Sequence, residues 1–294
     1  MQHQAFRLSV SDASSVSGGG VNDDVVGHVA NTAWVIDGAT DIGDGPVVDS
    51  RSDAAWFAAT VDDWLRARAL DLPPRLEDVL PDVTEHAAQE FARLARRPPT
   101  GRFEHPSAAG LLIRVAGPEL EYVALGDCSL LVESAAGAVV RYGITDDEAG
   151  DAWLSQHLST AARQTGPDAE PDPTQIRARL LPTLRKARER MNLLPGYGVF
   201  SITPPPSQYV TCDRIPVREG ARLLIASDGF MRLVDVFSEF SLEELLAETF
   251  EHGVSTMIEH LRRVEEQDAR CARHPRAKRS DDASALLATI VPGA

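Results

Sequence analysis

The sequence has few of the features that mark secreted or membrane proteins. It has only three cysteines in 294 residues, Cys128, Cys212 and Cys271, which are far apart and form no CxxC pair. This argues against a disulfide framework and against a zinc site, and favours a reducing compartment. The first 20 residues lack the apolar core of a signal peptide. No stretch approaches the roughly 20 apolar residues that span a bilayer. We therefore predict a cytoplasmic protein with no membrane partner.

Positive charge is also scarce. The chain has 29 lysines and arginines against 44 acids, which gives a formal net charge of −15. Since phosphate backbones select for basic surfaces, we expect no nucleic-acid partner. An acidic excess suits a site that attracts cations but does not establish one. The hydrophobic content of 43% is that of an ordinary globular protein, and no internal repeat is present. We predict one domain over residues 1–294 and a monomer.

Apolar runs and helical patterns follow one another in blocks along the chain. Strands are predicted at 33–37, 108–117, 120–134 (with a turn at Gly126-Asp127), 221–229 and 283–291. Amphipathic helices are predicted at 52–71, 76–97, 172–192 and 241–270, and a loop at 165–173. Because the helices come in consecutive pairs, the strict alternation of a parallel βαβ sheet is absent. The order favours an α+β protein with a mixed or antiparallel sheet and helices outside it.

Several aspartates stand at the ends of the predicted strands. They are Asp23 with Asp24, Asp37, Asp228, and Asp281 with Asp282. Because the strand ends of one sheet converge, these carboxylates can meet in space. Carboxylates gathered in one place repel each other unless a cation neutralises them, and oxygen ligands suit magnesium or manganese. Each acid alone is explained equally well as a turn residue or a helix cap, so the prediction depends on the ordered set.

The ordered set carries a family resemblance. Its motifs are "VNDD", then "DG" with Asp37 thirteen residues after Asp24, then "ALGDCSLLV", "RLLIASDGF" and "KRSDDASALLATI". In this order they resemble the metal-dependent type 2C protein serine/threonine phosphatases, in particular their shorter bacterial relatives. The resemblance spans residues 18–291. It implies a four-layer α-β-β-α sandwich in which two mainly antiparallel sheets are flanked by helix pairs.

The resemblance also implies a two-metal hydrolase with two Mn²⁺ or Mg²⁺ ions. The implied metal ligands are Asp23, Asp37, the Gly38 carbonyl, Asp228 and Asp281. Asp37 would bridge both metals, and Asp24 would orient metal-bound waters, so both are implied as catalytic. A hydroxide bridging the metals would then hydrolyse phosphoserine or phosphothreonine in a phosphorylated protein substrate.

The sequence departs from the family pattern at the phosphate site and in two metal motifs. Gly19 stands where the family usually has an arginine that binds the substrate phosphate. Arg51 and Arg232 are the candidates to replace it, because each lies a few residues past a metal motif. The usual "DGHGG" is replaced by "DGATD", and Asp282 replaces an asparagine. No acid for a third metal is evident, and Glu104 is the nearest option.

Three functions therefore stay open at this stage. The first is the metal-dependent phosphatase. The second is a pseudophosphatase that acts as a regulatory binding module, which the missing arginine favours and the retained acids oppose. The third is a hydrolase of small phosphorylated metabolites, since a site without the usual arginine could favour other phosphates. Asp41 and Asp44, just beyond Asp37, are interpreted as solvated loop residues rather than ligands.

Overall fold

The computed structural model describes residues 5–48, 51–134, 136–144 and 173–293. The described strands are β1 (Phe6–Val16), β2 (Asp24–Val29), β3 (Thr32–Gly38), β4 (Ser107–Ala116), β5 (Glu119–Leu125), β6 (Ser129–Glu133), β7 (Val139–Tyr142), β8 (Phe200–Ser201), β9 (Thr211–Pro216), β10 (Arg222–Ala226) and β11 (Ala283–Pro292). The described helices are α1 (Asp53–Arg68), α2 (Val79–Leu94), α3 (Pro173–Arg188), α4 (Asp228–Asp235), α5 (Leu242–His252) and α6 (Val254–Gln267). None of these helices is long and apolar enough to cross a membrane.

The strands form two antiparallel sheets. The first sheet has the order β1-β11-β10-β6-β7, and the second has the order β2-β3-β4-β5-β9, with β8 paired to β4. Strands that are distant in sequence are neighbours in the first sheet, since β1 pairs with β11 over nearly its whole length. The first and the last described strands are therefore neighbours in the same sheet.

The continuous apolar runs are explained by burial on both faces of each sheet. On β3, Val35 lies in the core between the two sheets, while its neighbour Ile36 packs with α1 and α2. On β10, Ile225 lies in the core between the sheets and Leu224 packs with α4, α5 and α6. Successive side chains of a strand point to opposite faces, so each run serves two layers. The α+β four-layer sandwich is confirmed.

Two helix predictions need correction in their bounds. The helix predicted at 52–71 is α1, which begins at Asp53 and ends at Arg68. Ser52 is its N-cap, because the Ser52 side chain accepts a hydrogen bond from the Ala55 amide. The single helix predicted at 241–270 is wrong. It is divided into α5 and α6 at Gly253, whose φ of +84° lies in the left-handed region that ends a helix cheaply only at glycine.

The turn at Gly126-Asp127 connects the two sheets. Because β5 belongs to one sheet and β6 to the other, the predicted strand-turn-strand is a crossing between layers and not a hairpin. Gly126 has a φ of +84°, which allows the sharp change of direction. The strand predicted at 221–229 ends earlier, at Ala226, and α4 begins at Asp228. The loop predicted at 165–173 lies outside the described residues, apart from the first residue of α3.

Candidate metal and phosphate site

One half of the acidic cluster comes from the β2–β3 pair. Asp24 lies directly opposite Asp37 in the antiparallel register. The Gly38 amide donates a hydrogen bond to the Asp23 carbonyl over 3.1 Å, which holds the ends of the two strands together. A Cβ atom at position 38 would lie only 2.3 Å from that carbonyl oxygen. The glycine is therefore required by the close approach of two backbones that brings Asp23, Asp24 and Asp37 together.

The other half comes from the first sheet. Asp228 begins α4 just after β10, and Asp281 lies just before the antiparallel neighbour β11, so the two acids lie at the same end of the sheet. A Cβ atom at Gly229 would lie 1.8 Å from the Asp282 carbonyl oxygen, so a glycine is needed here too. The two carboxyl groups of Asp37 and Asp228 interact across the sheets, since burial raises the pKa of Asp37 and the negative charges of its neighbours, Asp228 among them, raise it further.

The clustered acids have too little positive charge nearby to offset the effects of burial and of their mutual repulsion. Burial raises the pKa of Asp37 well above its usual range, and the neighbouring carboxylates of Asp24 and Asp228 raise it further. Burial also raises the pKa of Asp24 to about 7, against hydrogen bonds from Ser284 and Ser227. Burial likewise raises the pKa of Asp228. The charged form of each of these acids is therefore disfavoured unless a cation joins them.

The chemistry of Asp24, Asp37 and Asp228 suits divalent cations, although their present arrangement does not form a complete metal site. The Asp24 Oδ2 atom is buried and has no hydrogen-bond partner among the described residues, which leaves a lone pair for a ligand or a water. Oxygen donors that repel one another are the ligands that Mg²⁺ and Mn²⁺ stabilise. In the present arrangement, however, the described part of the chain contains no group of three or more histidine, cysteine, aspartate or glutamate side chains positioned to hold a metal ion.

Asp281 is engaged by two basic side chains. Its Oδ1 accepts a hydrogen bond from Lys278 Nζ over 2.5 Å, and its Oδ2 accepts one from Arg232 Nη2 over 2.6 Å. The same Arg232 guanidinium lies 3.3 Å from the buried carboxylate of Glu265. Arg232, a sequence candidate for binding phosphate, is thus a buried partner of a predicted metal ligand. Its position favours holding Asp281 over contacting a substrate.

Asp282 and Asp23 hold the segment before β2 in place through hydrogen bonds. Asp282 accepts hydrogen bonds from the Gly18 amide (2.8 Å) and the Asp23 amide (2.6 Å), one on each carboxylate oxygen. An asparagine at this position offers one acceptor oxygen instead of two. The replacement of the usual asparagine therefore has a structural reason. Asp23 in turn accepts a hydrogen bond from Ser52 Oγ over 2.5 Å, which ties it to the start of α1.

A cavity of about 280 Å³ opens beside Asp23 and Asp281. Gly19 forms part of its wall, and Arg51 and Lys278 both line it. Arg51 is a sequence candidate for the phosphate, whereas Lys278 is a residue that sequence reasoning missed. The signal available was its position three residues before Asp281, in a chain with only two lysines.

The other acids considered from the sequence have structural partners. Asp41 Oδ2 accepts a hydrogen bond from the Asp53 amide at the first turn of α1, so it is tied into the fold rather than solvated. Asp44 is 83% exposed and pairs with Arg185. Glu104 is paired with Arg97 over 2.7 Å. This partner lowers the pKa of Glu104 to about 2. The geometry therefore gives Glu104 a structural role as the partner of Arg97.

No protein-family model matches the sequence, and no curated protein matches it. Several solved structures share its fold. The serine/threonine phosphatase PstP/Ppp of Mycobacterium tuberculosis has a TM-score of 0.58 and 16% sequence identity, over 98% of this chain and 100% of that one. The catalytic domain of PstP in complex with two manganese ions has a TM-score of 0.55 and 18% identity, over 97% and 99% of the two chains.

A third similar structure is the serine/threonine phosphatase of S. agalactiae. It has a TM-score of 0.55 and 11% identity, and the match covers 96% of this chain and 99% of that chain. At such low identity these likenesses establish the fold and leave the activity to be argued from the site. The chain has the fold of the bacterial metal-dependent serine/threonine phosphatases.

Proposed function

We propose that this protein is a metal-dependent phosphatase that hydrolyses phosphoserine or phosphothreonine in a protein substrate. The observation that carries the proposal is that the charges of Asp24, Asp37 and Asp228 act on one another across two sheets, with the buried Asp24 Oδ2 lacking a hydrogen-bond partner among the described residues. A fold has no structural need for such a cluster, because the acids raise one another's pKa and oppose folding when ionised. A shared cation explains why they are placed together.

The residues proposed to hold two Mn²⁺ or Mg²⁺ ions are Asp23, Asp37, the Gly38 carbonyl, Asp228 and Asp281. When bound, such ions activate a water for attack on phosphorus and offset the charge of the phosphate. For Asp281 to take part, it must give up at least one of its two basic partners.

The chain's own residues supply the rest of the chemistry. Arg51 and Lys278 line the cavity beside Asp23, and this supports a role for them in attracting the substrate phosphate in place of the arginine that Gly19 cannot provide. Asp24 Oδ2 would accept a hydrogen bond from the attacking water and so orient it. Arg232 acts at a distance from the substrate, because it positions Asp281.

A second function, the pseudophosphatase that binds a partner without catalysis, is favoured by one observation. Asp281 is already neutralised by Lys278 and Arg232. A site whose acids are neutralised by its own chain has less need of a metal. The remaining acids keep their mutual repulsion, so the phosphatase is the better supported function.

The test is release of phosphate from p-nitrophenyl phosphate and from phosphoserine and phosphothreonine peptides in the presence of Mn²⁺. We expect turnover by the wild type, abolished by excess chelator, and a loss of about 10³-fold or more in Asp37→Asn and Asp228→Asn. Asp44→Asn is the control, since that side chain is exposed. Unchanged turnover in both site variants would refute the mechanism. An inactive wild type that binds a partner protein would favour the pseudophosphatase.

A further inference from the structure

The ammonium group of Lys278 stands among the carboxylates that the proposed function assigns to metal ions. Its Nζ lies 2.5 Å from Asp281 Oδ1 and 2.7 Å from Thr40 Oγ1. The cavity that Lys278 lines is also lined by Asp23. Lys278 thus lies on the same cavity wall as two of the predicted metal ligands, Asp23 and Asp281.

The two basic partners of Asp281 differ in how firmly they are held. Arg232 is buried and is braced by Glu265, a buried carboxylate that is also paired with Arg262 over 2.7 Å. The Lys278 side chain is 30% exposed and lies on the wall of the cavity. Asp281 is its one carboxylate partner among the ion pairs of the described residues. Of the two, Lys278 can leave Asp281 without exposing a buried charge.

We propose that Lys278 is an internal counter-ion that competes with a divalent cation for the Asp281 carboxylate. The inference rests on the proposed function for the identity of the cation. The Oδ1 atom that accepts the hydrogen bond from Lys278 cannot bind a metal ion at the same time, since the ammonium and the metal repel each other at that distance. When the cation binds, the ammonium group turns from Asp281 into the cavity, beside Arg51.

The test is calorimetric titration of Mn²⁺ into the metal-free protein, which does not depend on turnover. We expect Lys278→Met to bind one Mn²⁺ about fivefold to tenfold more tightly than the wild type, because the competing charge is gone. Lys278→Arg should bind as weakly as the wild type. Lys186→Met is the matched control, since Lys186 is the other lysine of the chain and is exposed on α3, and it should leave the affinity unchanged.

A general gain of attraction for cations must be separated from competition at Asp281. In the Asp281→Asn background, Lys278→Met should change the Mn²⁺ affinity by less than about twofold, because the contested carboxylate is absent. Arg51→Met removes a charge from the same cavity wall, and its gain should be smaller than that of Lys278→Met. An equal gain in the presence and absence of Asp281 would overturn the proposal.

A second measurement follows the lysine itself. With only two lysines in the chain, ¹⁵N-lysine labelling gives two side-chain ammonium signals, and Lys278→Arg identifies one of them. We expect that signal to shift on addition of diamagnetic Mg²⁺, while the Lys186 signal stays in place. A Lys278 signal that does not respond while Mg²⁺ binds overturns the proposal and leaves the phosphatase standing. If neither Mn²⁺ nor Mg²⁺ binds to any variant, both proposals fail.

Discussion

Two places in the same sheet bury carboxylates and treat their charge in opposite ways. Glu121 on β5 is 4% exposed and lies between the guanidinium groups of Arg114 and Arg214. Asp24 on β2 is 5% exposed and lies opposite Asp37, with one oxygen lacking any partner among the described residues. Burial is equal, so only the neighbours differ. Removing a buried acid from its basic partners leaves their charge uncompensated, whereas buried acids that face acids disfavour one another's charged form, which is typical of functional sites.

The largest effect on stability is expected at the paired acid. Glu121→Gln leaves two guanidinium groups close together without their shared countercharge. We expect a loss of about 3 kcal/mol in the free energy of unfolding. Glu219→Gln, at an exposed position, is the control and should change it by less than about 0.5 kcal/mol. Urea unfolding at pH 7 measures both. A loss below 1 kcal/mol at Glu121 would remove the contrast between the two places.

A second acid with basic and amide partners, Asp268, allows the comparison to be tested through the pH dependence of stability. Burial alone would raise the pKa of Asp268, but hydrogen bonds from the backbone of residues 272–274 and from Arg276 outweigh it and bring the pKa to about 2. A pKa depressed in the folded state stabilises the protein above the ordinary value of 3.8 and loses its effect as the pH falls towards 2.

Asp268→Asn should therefore cost about 2 kcal/mol of unfolding free energy at pH 7 and much less at pH 2.5. Denaturant unfolding of both proteins across this pH range measures the difference. Its matched control is Asp71→Asn, at an exposed position after α1, which should show little cost at either pH. A cost at Asp268 that does not change with pH would show that the charge is unimportant there.

At the site the sign should reverse. The folded-state pKa of Asp24 is raised to about 7, so its protonated form favours folding below 3.8 and this contribution is lost as the pH rises through 7. Asp24→Asn should stabilise the metal-free protein at pH 8 by on the order of 1–2 kcal/mol, and the gain should vanish near pH 4. Thermal unfolding in chelator measures it. Destabilisation at pH 8 would contradict the view that burial and the neighbouring acids disfavour the charged form of Asp24.

The burial of each strand explains which elements could be predicted from the sequence. Strands with two buried faces, such as β3 and β11, form continuous apolar runs and were predicted within one residue or two of their bounds. The first strand was missed because β1 is polar and mostly half-exposed, so its sequence has no such run. The short helix α4 was missed because its eight residues follow directly after β10 without a loop.

At the site, the local sequence pattern predicts the acids but not their basic partners. Asp37 and Asp228 each follow an apolar run closely, so strand order alone brings them to one end of the sandwich. Whether Arg232 and Lys278 point to substrate or to Asp281 depends on how α4 and the segment before β11 pack together. That packing leaves no periodic signal in the sequence. The ion pairs at Asp281 therefore required the structure.

The smallest effect is expected at Asp282, because this residue both supports the fold and repels a neighbouring acid. Asp282 supports the fold by accepting two backbone hydrogen bonds, from Gly18 and Asp23, and it raises the pKa of Asp24 as a neighbouring negative charge. Asp282→Asn should lose one acceptor, at a cost of about 1 kcal/mol, and gain a similar amount from reduced repulsion.

The net change in unfolding free energy of Asp282→Asn in the metal-free protein should therefore stay within about 1 kcal/mol at pH 8. It should become a clear loss near pH 4, where Asp24 is protonated and there is less repulsion to relieve. Thermal unfolding at both pH values, with Asp44→Asn as an exposed control, measures the balance. A large loss at pH 8 would show that the hydrogen bonds of Asp282 outweigh its repulsion of the other acids. A gain in stability at pH 4 would show that these hydrogen bonds contribute nothing.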